Sequence, residues 1–171
     1  MKLFATKLIL IIACVFAWFF ILAQNVLAID NREIKLAKFL ASHNSPLSAY
    51  SSEFIIQADK HGLDYRLLPA IAGVESTFAQ NYIRGSFNAY GWGGGKIYFD
   101  SWDDGIAKIS EGLKENYVDK GTATVEEISW IYCPPGNLSW AAKVRYFMNQ
   151  IDQTDATLPG ESPVLALALT I

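Results

Sequence analysis

The chain has 171 residues, 51% of them hydrophobic and 18% charged, enough for one globular domain of ordinary size with apolar sequence to spare. Its formal net charge is −3 and no basic patch interrupts it, which argues against a nucleic-acid partner. Two histidines, His43 and His61, without clustered cysteines provide no metal-ligand spacing, so neither a metal nor any other cofactor is expected.

The surplus apolar sequence sits at the front. Lys2 and Lys7 flank a basic start, after which "LILIIACVFAWFFILA" (Leu8 to Ala23) runs for 16 residues without a charge. Residues 1–28 therefore read as a secretory signal, with "VLA" (Val26 to Ala28) offering small-residue geometry for cleavage after Ala28. An uncleaved anchor is the alternative, because the run approaches the roughly 20 residues a spanning helix needs. Either way the domain is expected outside the cytoplasm, touching a membrane only if the segment is retained. Cleavage would take Lys2 and Lys7 from the 14 basic residues, leaving 12 against 17 acidic ones, a net of −5. It would also remove Cys14, leaving Cys133 alone and an intramolecular disulfide impossible.

Past residue 29 the chain reads as short helices with marked starts. "NSPLSAYSSEFIIQADKHG" offers Ser45 as an N-cap, Pro46 at the first helical position and Gly62 just past the end. "SWDDGIAKISEGLKENY" opens with Ser101 and Asp104 in capping-box spacing, and Ile106, Ile109 and Leu113 share one face. "TVEEISWIY" repeats the device with Thr124 and Glu127. A last helix starts at Ser139, with Trp140, Val144, Phe147 and Ile151 at core spacing. After about Gln153 the chain, residues 154–171, reads as a flexible tail.

Only Gly85 to Trp102 breaks the helical pattern. Its glycines predict turns, and "KIYF" a short strand of a small hairpin. "GWGGGK" is no phosphate loop, because Ile97 rather than Ser or Thr follows the lysine.

One carboxylate stands out. In "LDYRLLPAIAGVESTF", Asp64 can cap the start, Pro69 falls near the first turn, and Leu68, Ile71, Val74 and Phe78 form an apolar stripe. At about 100° per residue, Glu75 lies within roughly 60° of Leu68, Ile71 and Phe78, which predicts a buried position. A poorly solvated carboxyl holds its proton to higher pH, as a general acid working near neutrality requires. The plain alternative is a Glu at the helix edge, reaching water or paired with Arg66 or Lys96.

The motifs carry a resemblance. "LLPAIAGVESTF" (Leu67 to Phe78) resembles the catalytic helix of the lysozyme superfamily, particularly that of the soluble lytic transglycosylases. "NAYGWG" (Asn88 to Gly93) resembles the Asn-aromatic-Gly segment of bacterial endo-β-N-acetylglucosaminidases, and "FDSWDDGIAKISEGL" the helix that follows it there. "YCPPGNLSWAAKV" (Tyr132 to Val144) is similar to their closing segment. Together the matches span roughly residues 45–152. The resemblance implies that Glu75 is the general acid, that Tyr132 is a second catalytic residue lining the cleft beside the reacting sugar, and that Ser76, Asn88, Tyr90 and Trp92 border a groove for N-acetylated sugar rings. The lesser alternative for Trp92 is a core residue beneath the loop, since indoles bury well.

The departures are specific. "YGWG" stands where the transglycosylases carry Gly-Leu-Met-Gln, and "YCPP" replaces their closing Tyr-Asn pair. A glucosaminidase would carry a second carboxylate on an elaborated hairpin; here Asp103 and Asp104 are explained by capping, which leaves Asp100 as its candidate. The expected fold is mainly α, a lysozyme-like helical domain over residues 29–153 with a cleft and a small glycine-rich hairpin. The expected function is a glycosidase that cuts the β-1,4-linked amino-sugar backbone of peptidoglycan glycan strands, by hydrolysis or by lytic transglycosylation. A non-catalytic glycan-binding module of the same fold is the alternative from another class.

Overall fold

The computed structural model describes residues 30–121, 124–132 and 138–157. The expectations for the signal or anchor, for Cys133 and for residues 158–171 lie outside them. The domain starts at Asn31 and is mainly α-helical. Its helices are α1 (Asn31–Ser42), α2 (Ser51–His61), α3 (Leu67–Ser76), α4 (Trp102–Asn116), α5 (Val125–Tyr132) and α6 (Leu138–Gln153), with 3₁₀ turns at Pro46–Tyr50 and Val118–Lys120. No helix among the described residues is long and apolar enough to cross a membrane.

The starts and stops follow local chemistry. Ser101 accepts the Asp104 amide at 3.1 Å and opens α4. At α5 the capping box is reciprocal: Thr124 Oγ1 accepts the Glu127 amide at 3.2 Å, and Glu127 Oε2 accepts the Thr124 amide at 2.9 Å. Gly62 closes α2 in the left-handed conformation, its amide reaching the Ala58 carbonyl. The single helix expected from Ser45 onward is two elements: Ser45 caps the 3₁₀ turn, and a fresh α-helix begins at Ser51. Asp64 acts one turn early, its Oδ1 accepting the Arg66 amide at 2.9 Å ahead of α3. The last helix is described from Leu138, so Leu138 is already helical ahead of the expected start at Ser139.

α3 is the central helix. It packs chiefly on α6, while α2 packs on α4 and α5 on α6. Leu67 through Gly73 and Ser76 are all buried, and Ile71, Ala70 and Ala72 are entirely closed to solvent. Gly73 permits the close approach: a Cβ there would stand 2.5 Å from Phe78 Cε1 and 3.0 Å from Phe147 Cδ2. The wider core joins Leu36, Leu40 and Leu47 to Ile106, Ile109, Leu113, Val144 and Ile151. The start of the expected tail is tied down, because Lys38 Nζ donates to the Thr157 carbonyl.

The expected hairpin is absent: the described residues contain no strand. Four glycines with positive φ, Gly91, Gly93, Gly94 and Gly95, fold the segment into successive turns instead. The Gly95 amide reaches back to the Gly91 carbonyl at 3.0 Å, and Phe99 touches the preceding chain through one bond, its amide to the Ser86 carbonyl at 2.8 Å. A chain turning this tightly cannot lay down the extended pairing a strand requires.

Candidate active site

α3 ends where it leaves the core, and Glu75 stands at that exit. It is the one exposed residue of a helix otherwise buried or half-buried, contrary to the burial expected from its stripe. The stripe argument fails because α3 is enclosed on nearly every side, so apolar spacing does not select a single inward face. Arg66 is not its partner either: that guanidinium pairs with Asp64 at 2.6 Å and reaches Asp152 at 3.7 Å.

The carboxylate is nonetheless held. Trp140, on α6 and 5% exposed, donates its indole Nε1–H to Glu75 Oε1 at 2.7 Å. Glu75 Oε2 lies over Gly91, where a Cβ would come within 2.7 Å of it. Tyr132 closes the circle: its ring stacks on Trp140 at 5.1 Å and 27°, and its hydroxyl donates to the Tyr90 carbonyl, next to Gly91. Burial, and behind it the nearby Glu75 charge, hold the Tyr132 phenol well above its ordinary pKa, so it stays protonated and remains a donor.

Beside this ring lies a pocket of about 230 Å³, lined by Gly91, Trp92, Gly93, Gly94, Tyr117, Ile131 and Tyr132. Glu75 is outside that lining but adjoins it through Gly91 and Tyr132. Trp92 has both of its expected characters. It lines the pocket, and its ring rests on α4, where a Cβ on Gly112 would stand 2.8 Å from its Cζ2.

The other expected groove residues lie beneath the surface. Asn88 is 4% exposed and organises the loop: Nδ2 donates to the carbonyls of Trp92 (2.9 Å) and Ile97 (3.0 Å), and Oδ1 accepts the amides of Tyr90 (3.3 Å) and Trp92 (3.1 Å). That uses the two donors and two acceptor sites of the amide, leaving none for a sugar. Asp100 is exposed and belongs to the charged entrance of α4, where its amide meets Asp104 Oδ2 and Lys108 lies nearby. The pocket lining does not include it.

Ser76 also faces inward. Its hydroxyl accepts the Ala79 amide at 2.9 Å and lies 2.7 Å from the Ala89 carbonyl and 3.0 Å from that of Ala72. It thereby staples a run of three left-handed residues, Thr77, Phe78 and Ala79, with φ of 52°, 56° and 63°. Non-glycine residues adopt that conformation only when their surroundings impose it. Ser76→Ala should therefore destabilise the fold by about 1–3 kcal/mol, the range for leaving a buried polar group without its partner. Urea titration checks this; an unchanged midpoint would mean that the turn holds without the hydroxyl.

Tyr90 is fully buried, and its hydroxyl has no hydrogen-bond partner among the described residues. Burial pushes this phenol above its ordinary pKa. Removing an unpaired buried hydroxyl relieves a desolvation penalty, so Tyr90→Phe should leave stability unchanged or raise it by about 1 kcal/mol. A loss of more than about 1 kcal/mol on thermal unfolding would show that the hydroxyl has a partner, such as ordered water.

Trp140, Gly91, Tyr117 and Ile131 are the site residues that sequence reasoning missed. Trp140 had one readable signal, since a buried indole N–H normally finds an acceptor. Among the described residues, no group of three His, Cys, Asp or Glu could hold a metal ion. No protein-family model matches the chain, and no curated protein matches it.

Proposed function

We propose that the chain is an exported glycosidase of lysozyme-like fold, whose cleft takes peptidoglycan glycan strands and whose Glu75 protonates the leaving glycosidic oxygen. One observation carries this reading: an exposed carboxyl at the end of a buried helix, one oxygen fixed by the Trp140 indole, beside a pocket walled by Trp92, Tyr117 and Tyr132. Aromatic faces suit the C–H faces of sugar rings. The pocket is small against the roughly 300–1,000 Å³ of ordinary small-molecule sites, as suits one ring of a polymer.

The chemistry follows from the donor pattern. An indole nitrogen only donates, so Oε1 accepts in both protonation states of Glu75 and the acid's proton belongs on Oε2. Oε2 lies on the Gly91 side, next to the pocket. After bond cleavage the same oxygen can take a proton from the incoming hydroxyl.

Paired-carboxylate hydrolysis needs a second Asp or Glu about 5–9.5 Å from the first. None lines the pocket among the described residues, and the Asp100 amide is bonded to Asp104 at the start of α4. That favours lytic transglycosylation, in which one glutamate serves as acid and then as base and the sugar's own 6-hydroxyl attacks. The test is release of soluble fragments from dye-labelled, purified sacculi. Release by the wild type is the expected outcome. Co-sedimentation with several sacculus types without release would instead establish the glycan-binding module.

A further inference from the structure

We propose that Trp140 is a positioning residue that aims the proton of Glu75, an inference that rests on the glycosidase reading above. A glutamate at an exposed helix position has three side-chain torsions, and a general acid is effective only when its proton faces one oxygen of the bound substrate. Something must remove that freedom. α3 fixes the Cα, and the left-handed turn after Ser76 fixes where the helix ends. The carboxyl itself is fixed by Trp140, which donates to Oε1 at 2.7 Å from the neighbouring helix.

Trp140 is itself enclosed. It is 5% exposed and stacked on Tyr132, whose hydroxyl is engaged by the Tyr90 carbonyl. The links run from Glu75 to Trp140, Tyr132, Tyr90 and Gly91, and back to Glu75, whose Oε2 lies over Gly91. In this ring Tyr132 supports the indole, and its hydroxyl is turned to the backbone rather than to the reacting sugar. The two aromatic residues act on the reaction through Glu75.

A structural indole and a positioning one differ in what they alter. Trp140→Phe keeps an aromatic face for Tyr132 and removes only the donor and the second ring. kcat should fall about 10- to 10²-fold, as for a lost hydrogen bond to a charged group, while KM stays within about threefold and the fold is retained. In a Glu75→Gln background the same substitution should produce no further loss of kcat, because the group it acts through is gone. Should Trp140→Phe unfold, the benzothienyl analogue of tryptophan at this position, with sulfur in place of N–H, makes the same comparison at constant shape.

Wild-type kcat in Trp140→Phe, or an equal fractional loss in both backgrounds, would overturn the positioning role while leaving the glycosidase reading intact. A wild type that releases nothing from sacculi would sink the glycosidase reading, and the positioning role with it.

Discussion

On the proposed reading of Glu75 as the general acid, Glu75→Gln should lower kcat on peptidoglycan by a factor of about 10² to 10⁴, the contribution of a positioned general acid, and should leave the fold as stable as before. The amide nearly matches the carboxyl in shape, and its oxygen can still accept the Trp140 indole N–H. What it cannot do is release a proton to the glycosidic oxygen. Because Glu75 is exposed, the change should stay within about 0.5 kcal/mol in stability, typical of surface substitutions. Parallel measurement of sacculus clearing and melting temperature separates the cases. Clearing at the wild-type rate would remove Glu75 from the chemistry; loss of activity together with unfolding would make it a structural partner of Trp140.

Gly91→Ala should be the most damaging substitution that leaves every chemical group of the site in place. Gly91 has a φ of 65°, a conformation that costs an alanine about 1–2 kcal/mol. The new Cβ would also stand 2.7 Å from Glu75 Oε2, too close for either to remain. Glu75 is the movable partner, yet its other oxygen is tied to Trp140, so the carboxyl must rotate or give up that bond. A displacement of the order of 1 Å at a reacting group costs about 10²-fold in rate. The expected result is a loss of about 10- to 10²-fold in kcat with a melting temperature only a few degrees lower. Full activity in a folded Gly91→Ala would show that Oε2 does not need its present place.

The helix boundaries were legible because they depend on neighbours in sequence. Ser101 with Asp104, Thr124 with Glu127, and Gly62 each cap what their spacing predicts. The glycine-rich loop was legible as turns, but not in its course. That course depends on Asn88 binding two carbonyls up to nine residues away, which no local pattern announces.

For the site, the sequence pointed to Glu75 and misjudged its surroundings. Glu75 and Ser76 are adjacent in one motif, but neighbours on a helix point about 100° apart, so one faces out while the other is sealed against Ala89. Asn88 and Tyr90 likewise fall in the motif but beneath the surface it builds. Trp140 meets Glu75 across 65 residues, through the packing of α6 on α3. Such a contact exists only once both helices are in place.

The most direct measurement is mass spectrometry of the muropeptides released when the purified protein acts on sacculi. The account predicts new glycan ends from the wild type, carrying 1,6-anhydro-muramic acid if Glu75 works alone, and a yield from Glu75→Gln lower by about the 10² to 10⁴ expected of the acid. Ordinary reducing ends would keep Glu75 as the acid and assign the attack to water. Sacculi whose glycan strands acquire no new ends of either kind would contradict the account.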